Sequence, residues 1–383
     1  MQRPPGARAR PAGRAARHGA QAMLMAGKPL LCMPRRLRAW RLRCGLCLRW
    51  LWFGLAVGAA PWAHANPHGC EAAPAVPWQA LAPGVWVWQP EAPGEVSVLN
   101  GGHVAPTTAL VAGAEALVID PGPSQRHGER VRQSLACRFN AEVRWIVNTH
   151  AHAENVLANA AFADWAVAGR LSIAASEPTR AAMQQRCPAC LAGLTARAGA
   201  EAMAGTHIVE PTHTLYPGQT LSVGPLTLVV LPLEQGHTEG DLVLWNAQHR
   251  IVWAGGLVYD GRIPELAQGR LDAWLAALDR LQARGAHHVV SAVVSSADGP
   301  GQAPAALGAT RVYLQALRDG VLQAMDAGRQ PQDAGVVELP AYRHWAGYAE
   351  RHGFNVQRAW RELEPVWMEQ GAQPPRSTEH VGR

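Results

Sequence analysis

Short apolar runs rich in β-branched residues alternate with amphipathic stretches along the chain from Trp78 onward. In the first half, the predicted elements are strands over 85–88, 108–111 and 117–119, a helix over 125–138 and a buried strand over 143–147. The second and third of these strands are separated by a turn at Gly113, which predicts a hairpin.

The second half of the chain repeats this pattern. Its predicted elements are strands over 221–223, 226–231, 242–245 and 251–253, a helix over 271–283, a strand over 289–294 and helices over 305–325 and 342–364. Two β-rich halves with helices on one side of each predict two sheets packed face to face, with helices covering both outer faces. We therefore expect an α/β fold, a four-layer αββα sandwich with extra C-terminal helices, and functional loops at one end of its strands.

The first 65 residues have the pattern of a targeting segment. An arginine-rich stretch over 35–49 precedes an apolar run over 51–60, and Ala63 and Ala65 supply the small residues that a signal peptidase reads. This predicts export to the periplasm, cleavage after Ala65 and no membrane attachment afterwards; an uncleaved anchor and a natural start near Met33 are the open alternatives. The expected organisation is a leader over 1–65, a linker over 66–77, a main domain over 78–303 and a helical extension over 304–383.

The distribution of charge excludes a nucleic-acid partner. The formal net charge is +6, but 12 of the 35 Lys and Arg residues lie within residues 1–65, which contain no Asp or Glu. The remainder holds 23 basic and 29 acidic residues, with no basic stripe to follow a phosphate backbone. We expect a small-molecule substrate or ligand instead.

Four cysteines follow the leader: Cys70, Cys137, Cys187 and Cys190. An even number suits disulfide bonds in an oxidising compartment. The Cys187-x-x-Cys190 spacing also fits a redox pair or half of a zinc knuckle, but the chain has no second such pair and no thioredoxin-like strand before this one. We favour a local structural disulfide or loop clip here over redox catalysis.

The most informative segment follows the buried strand over 143–147 and reads Asn148-Thr149-His150-Ala151-His152-Ala153-Glu154-Asn155. Two histidines at i and i+2 beyond a strand are able to turn toward one point, where neutral imidazoles and a nearby carboxylate bind zinc. Three further segments accompany it: Ile119-Asp120-Pro121-Gly122, Gly236-His237-Thr238 and Trp253-Ala254-Gly255-Gly256. We expect Asp120 to play a structural part by accepting backbone amides of the histidine loop.

In order and spacing these segments resemble the motifs of the metallo-β-lactamase superfamily over about residues 85–300. Residues 261–266, 271–275 and 351–360 make the chain similar, within that superfamily, to the quinoprotein relay system zinc metallohydrolases. Those are periplasmic proteins associated with quinoprotein dehydrogenase systems. The resemblance implies the αββα fold, a zinc hydrolase activity and, for the subgroup, periplasmic dehydrogenase components as partners.

Carried over residue by residue, the resemblance implies a complete first metal site on His150, His152 and His237. The second site is degenerate. Its usual Asp and His correspond to Glu154 and Asn155, its bridging Asp to Gly256, and its last His to a segment over 295–300 that contains none, although Asp298 is a candidate replacement. We expect at most one zinc ion, held weakly, or none.

Three histidines with an open fourth position are a sufficient catalytic set, because zinc lowers the pKa of a bound water to about 7. The first hypothesis is therefore an exported mono-zinc hydrolase of ester, thioester or amide bonds, with Glu154 as its general base. The alternative is an inactive relative that serves as a binding or accessory protein in a periplasmic quinoprotein dehydrogenase system. The intact first site favours the enzyme, and the lost second site favours the alternative.

Overall fold

A computed structural model describes residues 70, 75–91, 94–232, 235–333 and 335–371; the predicted leader over 1–65 lies outside them. The strands are β1 (Gln79–Ala82), β2 (Val85–Trp88), β3 (Thr107–Ala112), β4 (Glu115–Ile119), β5 (Glu142–Val147), β6 (Ser172–Ala175), β7 (His213–Thr214), β8 (Thr220–Val223), β9 (Leu226–Leu231), β10 (Val243–Asn246), β11 (Ile251–Trp253), β12 (His288–Val290) and β13 (Val294–Ser296). The helices are α1 (Gln125–Phe139), α2 (Ala153–Val156), α3 (Ala163–Val167), α4 (Glu177–Ala198), α5 (Leu271–Ala283), α6 (Ala305–Asp326) and α7 (Tyr348–Gly371), with 3₁₀ turns at Leu157–Phe162 and Pro340–Tyr342. Among the helices of these residues, none has the length and hydrophobicity that a membrane span requires.

The strands form two mixed sheets. The first sheet has the sequential order β1 to β7, antiparallel from β1 to β4 and parallel from β4 to β7. The second sheet has the order β13-β12-β11-β10-β9-β8, in which only β11 and β12 run parallel. Parallel neighbours end at the same sheet edge, so the loops after β4 and β5 lie together, as do those after β11 and β12.

The two sheets pack face to face around a shared apolar core, to which Leu110 and Val147 contribute from the first sheet and Leu228 and Trp253 from the second. Helix α1 covers the outer face of the first sheet, where Val131 packs in a second cluster. Helices α5, α6 and α7 cover the outer face of the second sheet. The predicted four-layer αββα arrangement with added C-terminal helices is confirmed.

Local signals account for the elements that the sequence predicted well. Helix α1 begins after Ser124, whose hydroxyl accepts the N–H of His127, and ends at Asn140 in the left-handed conformation (φ 51°). Gly113, with a φ of +59°, makes the predicted turn between β3 and β4. The C-terminal helices share the core of the second sheet, since Leu317 and Trp360 pack in the same cluster as the sheet residues.

Two predictions of local structure were wrong, and some elements were not predicted at all. The single strand expected over 289–294 is a hairpin, in which the N–H of Ser291 donates to the carbonyl of Val293 between β12 and β13. No Gly or Pro marks that turn, so the apolar run concealed it. The helix expected over 342–364 begins only at Tyr348. Strand β6 and helix α4 were not predicted. In α4, small residues and Pro188 hide the apolar pattern of the helix.

The cysteines also differ from expectation. Cys70 is bonded to Cys137 of α1, whereas Cys187 and Cys190 are free thiols within α4 rather than a disulfide-bonded loop clip. Residues three apart on a helix have Cβ atoms about 5–6 Å apart, wider than the 3.5–4.5 Å that a disulfide needs. The helix therefore holds their Cβ atoms farther apart than a disulfide bond requires.

Candidate metal centre

The loops at the carboxyl ends of the parallel strands build one polar site. Asp120 directly follows β4, and Thr149 and His150 follow β5. Across the sandwich, Gly255 and Gly256 follow β11. This position agrees with the expectation that functional loops lie at one end of the strands.

The three predicted ligands come together there. His150, His152 and His237 keep only 3%, 9% and 0% of their surface exposed, and one ligand nitrogen from each lies within 4.8 Å of the other two. Nδ1 of His152 and Nε2 of His237 are 3.1 Å apart. This is close to the spacing of about 3.3 Å between nitrogens that share one zinc ion at 2.0–2.1 Å. In the described residues, no other group of three His, Cys, Asp or Glu side chains has such a spacing.

The outward-facing nitrogens of two ligands are held by partners. Nδ1 of His237 donates to the backbone carbonyl of Glu265 at 3.0 Å, and Nδ1 of His150 lies 2.9 Å from the hydroxyl of Thr149. That hydroxyl donates its own proton to Asp120 at 2.6 Å, so it accepts from His150. Both rings therefore present Nε2 with its lone pair toward the centre, the arrangement that a metal requires.

Asp120 organises the histidine loop. Its carboxylate accepts the backbone N–H of Thr149 at 2.8 Å as well as the Thr149 hydroxyl and the side chain of Asn155, which confirms its predicted structural role. Its backbone takes a left-handed φ of 50°, uncommon outside glycine, which turns the end of β4 toward this loop. Burial raises the pKa of Asp120 to about 7, and the hydrogen bonds from Thr149 and Asn155 oppose the rise.

The electrostatic state of the ligands suits a cation. Burial lowers the pKa of His150 well below the usual histidine range, and the neighbouring His152 lowers it further. Burial lowers the pKa of His237 in the same way, with added repulsion from His152 and His150. Both rings are neutral at pH 7, and neutral imidazole is the form that binds a metal.

Gly256 lies against the ring of His237. A Cβ atom built on Gly256 would lie 2.0 Å from Cδ2 of His237, so the ring excludes a larger side chain at this position. Asn155 is engaged with Asp120. The loop that follows β12 is Ser291–Val293 rather than 295–300, and Asp298 is exposed on the surface. The nitrogens of His150, His152 and His237 lie close enough together to hold a metal ion.

The loop that carries His237 is fixed by Asp241, which the sequence analysis missed. The Asp241 carboxylate accepts the backbone N–H groups of Gly236, His237 and Thr238 and the Thr238 hydroxyl, at 2.6–3.1 Å. Burial raises the pKa of Asp241, and these hydrogen bonds oppose the rise. The sequence did contain one signal for Asp241, namely its position three residues after the Gly-His-Thr segment.

Charged residues from distant parts of the chain hold the other side of His237. Arg351 of α7 pairs with Glu265, whose carbonyl holds His237, and with Glu95. Arg262, almost fully buried, lies 3.4 Å from Glu95. Burial tends to raise the pKa of Glu265, but its interactions with His152, Arg351 and Arg262 lower it overall. No short motif links these residues, so the sequence alone gave no signal for them.

Glu154, the predicted general base, is half-buried in the first turn of α2. Within the described residues its carboxylate makes no hydrogen bond or ion pair. Burial raises the pKa of Tyr259 most, and the charges of Glu265 and Glu154 raise it further. The centroid of the Tyr259 ring lies 6.0 Å from that of the His237 ring. The catalytic role of Glu154 stays a prediction. Another histidine, His103, packs against Trp88, with ring centroids 4.6 Å apart.

No family model matches the chain, and no curated protein matches it. Solved structures that resemble it are metallo-β-lactamases. One from Pontibacter korlensis is 22% identical, with 62% of this chain and 98% of that one covered and a TM-score of 0.46. FIM-1 from Pseudomonas aeruginosa, solved in a mono-zinc form, is 20% identical (65% and 97% covered, TM-score 0.46). DIM-1 is 18% identical (63% and 98% covered, TM-score 0.46). Likenesses of this strength carry no argument about what this chain binds or does.

Proposed function

We propose that the protein is a hydrolase of the metallo-β-lactamase superfamily that works with one zinc ion held by His150, His152 and His237. The observation that carries the proposal is the buried set of three imidazoles, whose ligand nitrogens lie within 4.8 Å of one another. Two of the rings are already fixed in the required orientation by Thr149 and Glu265. Histidines that only fill a core do not need such fixed ring orientations.

A zinc ion with three imidazole ligands and an open position supplies a water of pKa about 7 and polarises a substrate carbonyl. The chain supplies the orientation of these ligands and a buried setting that keeps His150 and His237 neutral. In this proposal Glu154 would serve as the general base. The bonds addressed are those of an ester, thioester or amide.

The place of action in this proposal is the periplasm, beside a quinoprotein dehydrogenase system. Its support is the leader pattern and the sequence likeness over 261–266 and 351–360. These two segments touch in the fold, since Asn355 accepts the N–H of Leu266 and donates to the carbonyl of Pro264. A shared contact gives the two segments a reason to occur together.

The first experiment is measurement of metal content by mass spectrometry on protein expressed with its leader and recovered from the periplasm. We expect about one equivalent of zinc in the wild type. His150→Ala and His237→Ala should both lose it, whereas His344→Ala, an exposed histidine, should keep it. Wild-type protein that takes up no zinc even at micromolar concentrations would contradict the proposal and favour the binding or accessory role.

Activity is tested separately. The zinc-loaded protein is screened against ester, thioester and amide substrates beside Glu154→Gln, which keeps the size of the side chain and removes its basicity. We expect the variant to retain zinc and lose about 100-fold or more in kcat. Equal rates for the two proteins would remove Glu154 from the mechanism, and a zinc-loaded wild type without activity toward any substrate class would again favour the accessory role.

A further inference from the structure

Cys187 and Cys190 take no part in the proposed hydrolysis, yet they are arranged as a pair. They lie three residues apart on α4 and so share one face of the helix. Among the described residues these are the free cysteines, because Cys70 and Cys137 are joined to each other.

The two thiols differ in accessibility. Cys187 is completely buried, whereas Cys190 is partly exposed. The interaction between the two thiols lowers the pKa of Cys190 and raises the pKa of Cys187. An accessible thiolate next to a protected thiol is the arrangement in which one sulfur attacks an incoming disulfide and the other resolves the product.

The helix geometry permits a bond but resists it. Residues at i and i+3 have Cα atoms about 5 Å apart, inside the 4.4–6.8 Å range of disulfides, although their Cβ atoms must approach by about 1 Å or more. Pro188 lies between them and lacks the N–H that would bond to the carbonyl of Gln184. The turn that must tighten therefore lacks one backbone hydrogen bond.

Helix α4 contacts both loops of the metal centre. Cys187 packs against Ala151, which lies between the ligands His150 and His152. At the start of the helix, the hydroxyls of Ser176 and Thr179 donate to the carbonyl of Gly240 in the His237 loop, at 2.6 and 2.8 Å. A change in the Cys187 turn therefore acts directly on the histidine loop.

We propose that Cys187 and Cys190 form a redox-active dithiol that exchanges with a small-molecule or protein disulfide, and that its oxidation alters the metal affinity of the histidine loop. The Cys190 thiolate attacks one sulfur of the oxidant, forming a mixed disulfide and releasing one thiolate. Cys187 then loses its proton and attacks the Cys190 sulfur, which releases the second thiolate. Two protein thiols are oxidised, one disulfide is reduced, and the released thiolates take up the two protons.

Disulfide formation is tested on the full wild-type chain in buffers with a range of ratios of reduced to oxidised glutathione. After acid quenching, alkylation and trypsin digestion, both cysteines fall in one peptide bounded by Arg186 and Arg197. We expect the doubly alkylated peptide to give way, as oxidised glutathione increases, to an unalkylated form lighter by two hydrogens, and dithiothreitol to reverse this. A peptide that stays doubly alkylated at every ratio overturns the proposal.

Two single variants test the order of attack. Cys187→Ser should stop at a glutathione adduct on Cys190, because the resolving thiol is missing. Cys190→Ser should give no adduct, because Cys187 is buried. Equal adduct formation in both variants would contradict the assigned roles, and the wild-type measurement stands even if one variant fails to fold.

The effect on the metal site rests on the proposed function and is measured apart from the disulfide. Zinc affinity of the reduced and oxidised forms is compared by competition with a chelator. We expect a difference of about five-fold or more, absent from the Cys187→Ser/Cys190→Ser double variant. Equal affinities would overturn the effect on the metal alone. No zinc binding in either form would overturn that effect and the proposed function together, while the peptide masses still decide whether the disulfide forms.

Discussion

The imidazole ring of His237 occupies the space in which a side chain at position 256 would begin, with Cδ2 only 2.0 Å from the Cβ that Gly256 lacks. The ring and the glycine are complementary in shape, so the position of the ring depends on the absence of a side chain at residue 256.

The first prediction concerns this contact. Gly256→Ala should push the His237 ring out of place, lower zinc affinity by about ten-fold or more and reduce the free energy of unfolding by about 1–3 kcal/mol. Gly308→Ala is the matched control, because open space surrounds that helical glycine, and it should raise stability by up to about 1 kcal/mol. Chelator competition and urea unfolding measure both quantities. If the Gly256→Ala protein binds zinc as tightly as the wild type, the His237 ring has room to move.

The second prediction concerns the hydroxyl that orients His150. Thr149→Val keeps the shape of the side chain but removes the acceptor for Nδ1 of His150 and the donor to Asp120. Zinc affinity should fall by about 10–100-fold. Thr149→Ser, which retains the hydroxyl, should stay near the wild type. If the valine and serine variants bind zinc equally, the hydroxyl does not orient the ligand.

The third prediction concerns the link between α7 and the metal centre. Arg351→Met removes the ion pairs with Glu95 and Glu265 and should reduce the free energy of unfolding by about 2 kcal/mol. This is below the 3–5 kcal/mol of a fully buried pair because both carboxylates keep 31% of their side chains exposed. Zinc affinity should fall as well, because Glu265 also holds His237.

The control for this variant is Arg343→Met, which breaks an exposed pair with Glu338 and should cost about 0–1 kcal/mol. Urea unfolding at pH 7 gives the comparison. Similar losses from the two substitutions would mean that the Arg351 pairs are no stronger than surface pairs.

The fourth prediction concerns acid. Burial lowers the pKa of His103 from 6.5 to about 4. The unfolded chain then takes up a proton on this ring as the pH falls below 6.5, while the folded chain does not until near pH 4, so stability is lost over that interval. His103→Phe keeps a ring beside Trp88 and cannot titrate. It should reduce the loss of stability between pH 7 and 5 by about 1–2 kcal/mol.

The measurement is urea unfolding at the two pH values, with His344→Gln, an exposed histidine, as the control. The control should lose as much stability on acidification as the wild type. An unchanged loss in the His103 variant would place the acid sensitivity in other groups, of which buried His127 is the nearest.

The sequence by itself determined the layered α/β fold and pointed to the three histidines that the structure brings together. The spacing of apolar residues that marks strands and helices is a local property of the sequence. A His-x-His segment directly after a buried strand lies at the edge of the sheet, where the loops meet. Prediction from the sequence failed at the hairpin between β12 and β13, where no Gly or Pro marks the turn. It also failed at α4, where no strong apolar stripe marks the helix.

Only the tertiary structure decided what surrounds those ligands. The carbonyl of Glu265 reaches a ring 28 residues away, and Arg351 joins the same site from 86 residues further along. It also placed Cys187 against the histidine loop and filled the space beside Gly256 with the His237 ring. Such contacts depend on how distant segments pack in three dimensions, and no local pattern in the sequence encodes that packing.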